Sequence, residues 1–180
     1  MRHSDALFSG QITFDGRSFQ GTPLGFGLQG HNCGYRHRNF WRWAHAYFPR
    51  SDGPPSTLEA LVYDMPLGMV FRKAVLWHEG KQHVFRKLQE IRSDHKNLQW
   101  DFRAFTRTGF ELDAAFDGRG PSMHRLSYVK TDCSGSFEVV NNSLASAALR
   151  IKQPDGRITE LETITGGVVE MAGHKLHSEA

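Results

Sequence analysis

A chain of 180 residues with 39% hydrophobic composition is long enough to bury a core within one domain and too short for two large ones. Lys and Arg exceed Asp and Glu by 22 to 19, a formal net charge of +3 that is too small to single out nucleic acid as a partner. Residues 1–14 lack the apolar centre of a signal peptide, and no run approaches the roughly 20 apolar residues of a membrane-spanning helix. A cytoplasmic protein without stable membrane insertion is therefore expected. Cys33 and Cys133 lie far apart and match no paired ligand motif, so reduced thiols are expected rather than a disulfide framework.

In chain order, residues 10–14 and 24–29 are the first strand candidates. The second overlaps Gly25-Phe26-Gly27-Leu28-Gln29-Gly30, which matches the dinucleotide pattern GxGxxG. No amphipathic helix or βαβ unit surrounds it, so these glycines are read as bending a sheet. Residues 35–43 interleave Arg36, Arg38 and Arg42 with Tyr35, Phe40, Trp41 and Trp43, as single-stranded nucleic-acid platforms do. The patch is short, and a loop leading into an aromatic strand accounts for it. His31, Cys33, His37 and His45 carry metal-binding atoms but no compact ligand spacing, so no metal site is expected.

Residues 40–48 form a third strand. An extended backbone puts Trp41, Trp43, His45 and Tyr47 on one face and Phe40, Arg42, Ala44, Ala46 and Phe48 on the other. Two indoles, an imidazole and a phenol combine apolar area with proton donors, which suits either a pocket for a hydrophobic ligand or plain core packing. The SDGPPS stretch at 51–56 is a loop, because two prolines remove backbone donors. Residues 58–63 follow as a strand. Residues 70–78 and 82–86 then flank Glu79-Gly80-Lys81 as a hairpin, while Val84, Leu88 and Ile91 are spaced like one face of a short helix over 84–92.

Period 2 is clearest beyond that point. Leu98, Trp100, Phe102 and Ala104 alternate with polar residues, and Phe110, Leu112, Ala114 and Phe116 resume the alternation after Arg107-Thr108-Gly109. Residues 126–130, 136–140 and 168–171 are further strands, and 145–152 and 157–164 flank a turn at Gln153-Pro154-Asp155-Gly156. Asn141-Asn142-Ser143 reads as a polar turn, and residues 173–180 as a flexible tail. So many short strands imply an all-β, antiparallel barrel or strongly curved sandwich in one domain spanning 1–180.

The stretch Gly27-Leu28-Gln29-Gly30-His31-Asn32-Cys33-Gly34, followed by Phe40-Trp41-Arg42-Trp43-Ala44-His45, resembles the GHNWG-type signature of lipocalin-like carotenoid hydratase and tocopherol cyclase relatives. The later order of strands resembles the C-terminal half of those proteins, which have two related halves. The resemblance implies a lipocalin-like (calycin-like) barrel and a hydrophobic isoprenoid-like or lipid-like ligand. Hydration, cyclisation or isomerisation without a cofactor is the implied chemistry. An acid protonates the alkene, and aromatic faces stabilise the cation. His31 matches the motif histidine and would carry or orient the proton, with Tyr63 and Asp64 as the nearest acidic pair. Cys33, Trp41, Trp43, His45 and Tyr47 would contact the substrate. Cys33 stands where the signature has tryptophan, which removes an indole and its N–H. A chain matching one half implies a second β-barrel half or a homodimer as partner, and a noncatalytic binding or assembly protein is the alternative.

Overall fold

The computed structural model describes residues 3–29, 38–51, 53–130 and 133–173. All its strand pairings are antiparallel, and among the described residues the one helical element is a 3-10 turn at Pro66–Gly68. The expected tail falls almost wholly outside the described residues.

The chain divides into two compact units, Met1–Gly34 and Tyr35–Ala180. The first is a hairpin of β1 (His3–Phe14) and β2 (Arg17–Gln29), joined at Asp15 and Gly16. Both turn residues have positive φ, 48° and 71°, which glycine adopts freely and aspartate tolerates. Gly25 and Gly27 of the GxGxxG stretch sit in β2 opposite Phe8 and Ala6, as ladder positions. Phe8, Ile12, Phe14 and Phe19 of this hairpin are exposed.

The second unit contains β3 (Trp41–Phe48), β4 (Ser56–Asp64), β5 (Val70–His78), β6 (Lys81–Phe85), β7 (Lys87–Asp94) and β8 (Gln99–Phe105). It continues with β9 (Glu111–Asp117), β10 (Met123–Val129), β11 (Ser136–Lys152) and β12 (Ile158–Ala172). They build one sheet in the order β6-β5-β4-β3-β12-β11-β9-β8-β7, with β10 paired to the N-terminal part of β11. The hairpin turns at Glu79-Gly80 and around Gly109 and Gly156 all use positive φ, at the positions the turn residues indicated.

The sheet's terminal strands, β6 and β7, are consecutive in the chain and separated by Arg86 alone. Because neighbouring Cα atoms are only about 3.8 Å apart, the sheet must curl until its two ends meet at that residue. Among the described residues no strand pairing joins β7 to β5 or β6, so the seam is not closed by backbone hydrogen bonds. β6 pairs with β5 only from Ala74 to His78, and among the described residues Val70–Lys73 has no strand partner on the side facing β7.

Curling gives the sheet an inner and an outer side. Trp100, Phe102 and Phe116 stack on the inner side, with ring centroids 4.9 Å apart for the first two and 6.3 Å for the last two. Leu58, Leu76, Phe85, Ile151 and Met171 complete this core, all fully buried. Burying each such side chain contributes about 1.5–3 kcal/mol. Ala44, Ala46, Ala60, Ala74 and Ala104 alternate with them, since a tightly curved inner surface has room for large rings only opposite small residues.

Two sequence readings are corrected. Residues 84–92 are not helical but belong to β6 and β7, broken at Arg86, with a bulge between Glu90 and Arg92. Asn141-Asn142-Ser143 is not a turn between strands but lies inside β11, beside a register shift. Asn142 is buried there, donating from Nδ2 to Gly118 O at 2.8 Å and accepting from Leu144 N at 2.7 Å. Its amide thus satisfies backbone groups that the bulge removes from the ladder.

Candidate functional site

The alternation expected over 40–48 is present in β3, and the structure decides which side is core. Phe40, Ala44, Ala46 and Phe48 join the inner cluster, whereas Trp41, Trp43 and Tyr47 are half-buried on the outer side. Arg42 also points inward, its guanidinium 4.3 Å from the centre of the Phe40 ring and its Nε donating to Ser93 Oγ. Burial pushes this guanidinium's pKa down and Glu90 pulls it back up.

Register fixes what each outer residue meets. Trp41, Tyr63 and Phe71 form one row across β3, β4 and β5, and Trp43, Leu61 and Lys73 form the next. His45, Glu59 and Val75 form a third. Trp41 donates from Nε1 to Glu170 Oε1 at 2.7 Å, and Glu170 Oε2 accepts from Asn141 Nδ2 at 3.2 Å. The same indole meets Phe137 edge-on at 5.6 Å. Tyr63 stacks on Phe71 at 4.8 Å, and the Arg38 guanidinium lies 5.2 Å from the Tyr63 ring centre.

Glu59 is the residue that sequence reasoning missed. It is 4% exposed, directly opposite His45, and its Oε1 accepts from Trp43 Nε1 at 3.3 Å. Oε2 is buried without a hydrogen-bond partner among the described residues. Burial raises the carboxyl's pKa, opposed by the Trp43 hydrogen bond and the Lys73 charge. Burial likewise raises the Tyr47 phenol. In sequence, Glu59 looked like any outward polar residue of a strand. Only its neighbours on β3 and β5 reveal a carboxyl set among aromatic and apolar groups.

The other expected site residues are distributed unevenly. Trp41, Trp43, His45 and Tyr47 share the face just described, and Tyr63 belongs to it. Asp64 does not, because its Oδ1 accepts the Phe40 backbone N–H at 3.3 Å, and Tyr63 and Asp64 point to opposite sides. His31 and Cys33 lie outside the described residues. Among the described residues, no three His, Cys, Asp or Glu side chains are arranged to hold a metal ion.

The aromatic row leads into a groove of about 640 Å³ between β5 and β7, at the unpaired seam. Phe71 belongs to both, as the last ring of the row and one wall of the groove. A volume of this size falls in the range of small-molecule sites.

A second cluster superficially suggests hydrolytic chemistry. Ser56 Oγ lies 2.8 Å from His78 Nδ1, and His78 Nε2 lies 3.8 Å from Glu79 Oε1. His78 Nε2 is beyond hydrogen-bond distance of Glu79, which Arg157 holds bidentately at 2.9 and 3.0 Å, so no carboxylate orients the imidazole. Burial lowers the His78 pKa. The cluster ties the β5–β6 turn to the β11–β12 turn.

No protein-family model, characterised protein or solved structure matches the chain. Among the described residues, no helix is long and apolar enough to cross a membrane.

Proposed function

We propose that this protein binds a hydrophobic, isoprenoid-like or lipid-like molecule along the outer face of β3, β4 and β5, and that Glu59 protonates it. The observation that carries the reading is the row Trp41–Tyr63–Phe71 running into the seam groove, with the buried Glu59 carboxyl two rows away on the same face and bonded to Trp43. The strongly curled antiparallel sheet supports a lipocalin-like architecture, in keeping with the resemblance of residues 27–45 to carotenoid hydratase and tocopherol cyclase relatives.

A carboxyl whose pKa is raised holds its proton to higher pH than an ordinary one and is the better placed to act as an acid. An alkene over Trp43 is the base. Its π pair forms a C–H bond to the Glu59 proton, leaving a carboxylate and a tertiary cation over the aromatic faces. Water or an internal hydroxyl then forms a C–O bond and returns a proton to Glu59, giving hydration or ring closure. Loss of a neighbouring proton instead gives isomerisation. The balance needs no redox partner.

The test is incubation of the full chain with a panel of terpenoids and lipids, with binding read by native mass spectrometry and conversion by chromatography. Glu59→Gln is expected to keep binding and to slow conversion by about a hundredfold or more. Unchanged conversion removes Glu59 as the acid, and absence of any bound ligand removes the whole reading.

One observation favours assembly as a second reading. A two-stranded hairpin is only marginally stable alone, yet β1–β2 exposes Phe8, Ile12, Phe14 and Phe19. A second β-barrel half or a second copy of this chain would cover them. A strictly monomeric full chain at high concentration, with turnover, sets this reading aside.

A further inference from the structure

We infer that the seam groove is a head-group site, so that the ligand of the aromatic face is an amphiphile ending in a carboxylate or phosphate. This rests on the binding reading above and adds the ligand's charge. Four cations border the groove: Arg72 and Lys73 on opposite faces of β5, Lys87 on β7, and Arg86 at the point where the two sheet ends meet. No carboxylate lines it, and Gln89 is the remaining polar residue. Val70, Phe71, Leu88 and Phe105 supply apolar walls.

Several of the molecule's other basic residues are held in ion pairs. Arg103 and Arg150 both contact Asp113, Arg92 pairs with Asp101, Lys152 with Glu111, Arg119 with Asp117, and Arg125 with Glu138. Arg72, Lys73, Arg86 and Lys87 have no ion pair among the described residues. Arg72 reaches no acid, only the Val70 carbonyl at 3.5 Å. Cations bordering an apolar groove that no carboxylate lines raise the local potential for an oxyanion, and Arg and Lys donors bind carboxylate and phosphate oxygens strongly.

The dimensions suit a single chain molecule. Lys73 stands two strands from Trp43 on the same face, on the order of 10 Å away at ordinary strand spacing. A head group at Lys73 thus places the tail over Leu61, Trp43 and the Tyr63–Phe71 pair.

The experiment compares farnesyl phosphate, a fatty acid, farnesol, inorganic phosphate and vesicles containing anionic lipid, each titrated against the full chain at low and high salt. Farnesyl phosphate or the fatty acid is expected to bind about tenfold or more tighter than farnesol, with the preference shrinking as salt rises. Which of the two anions binds more tightly identifies the head group as phosphate or carboxylate. The combined variant Arg72→Gln, Lys73→Gln, Arg86→Gln and Lys87→Gln should bring that ratio close to one, with an unchanged circular dichroism spectrum showing that it folds. Equal binding of farnesol and both anions overturns the inference while leaving the hydrophobic-ligand reading standing. Binding of none of the three chain molecules overturns both. Inorganic phosphate binding as tightly as farnesyl phosphate, or capture by vesicles in preference to monomeric ligand, overturns the assignment to an amphiphile. A preference that survives the combined variant places the head group elsewhere.

Discussion

The outer side of the sheet carries two surfaces that obey different rules. Across β8, β9, β11 and β12, the register sets Arg103, Asp113, Arg150 and Glu160 side by side, with Glu111 against Lys152 one row away. Alternating charges on neighbouring strands satisfy one another in water, and such a surface needs nothing further. Across β3, β4 and β5, the corresponding rows read Trp41–Tyr63–Phe71 and His45–Glu59–Val75. Here a carboxyl is set between an imidazole and a valine and bonded to an indole, instead of directly opposite an arginine or lysine. Both surfaces lie on the back of the same inner core, so packing alone does not dictate the difference.

The sharpest way to break the comparison is through that shared core. Trp100→Ala should cost about 3–5 kcal/mol, because the ring is fully buried against Phe102 and Phe116. If the surfaces are two sides of one cooperative sheet, indole fluorescence and circular dichroism will lose signal in a single transition at a lower Tm. Two separated transitions would show that the surfaces melt independently.

A smaller effect is expected at Glu59. Its raised folded pKa means that the folded state holds this proton more tightly than the unfolded chain does. Stability should therefore fall as pH rises from the ordinary value of 4.5 through the raised folded value, and then level off. Glu59→Gln should abolish this share of the fall and be the more stable form above that window. Parallel stability curves against pH for the two proteins would mean that the carboxyl is hydrated, like those of the charged surface.

The smallest effect belongs to the ladder itself. Asp113→Asn removes the shared partner of Arg103 and Arg150, yet Tm should move by only about 3 °C or less, because exposed ion pairs contribute little and salt screens them. A larger loss would make the ladder a structural element rather than a solvated face.

How far these surfaces could be read from sequence follows from local geometry. Strands with unbroken alternation, such as those beginning at Gln99 and Glu111, were legible residue by residue, and so were turns carrying glycine. The β6–β7 segment was not, because Phe85 and Leu88 both face inward although three residues apart. The break at Arg86 accounts for the odd spacing, and the bulge after Glu90 shifts the parity again, leaving Ser93 inward and Ile91 exposed. A broken strand can thus imitate a helical face. In β3, both faces were identified, but bulk was a poor guide to which one is core. The curled inner side takes the alanines, leaving the tryptophans on the back. Glu59 was illegible for a related reason: burial of an outward residue depends on neighbouring strands rather than on its own.

The pairing of β3 with β12 also bears on how the protein is made. Trp41 and its partner Glu170 are 129 residues apart, so β3 leaves the ribosome long before the strand that covers its free edge exists. At roughly 5–20 residues per second, that interval is on the order of ten seconds. Throughout it, two indoles and an unpaired strand edge are open to other nascent chains. Expression yield should therefore depend on translation speed and chaperone supply more steeply than the stability of the finished sheet would suggest.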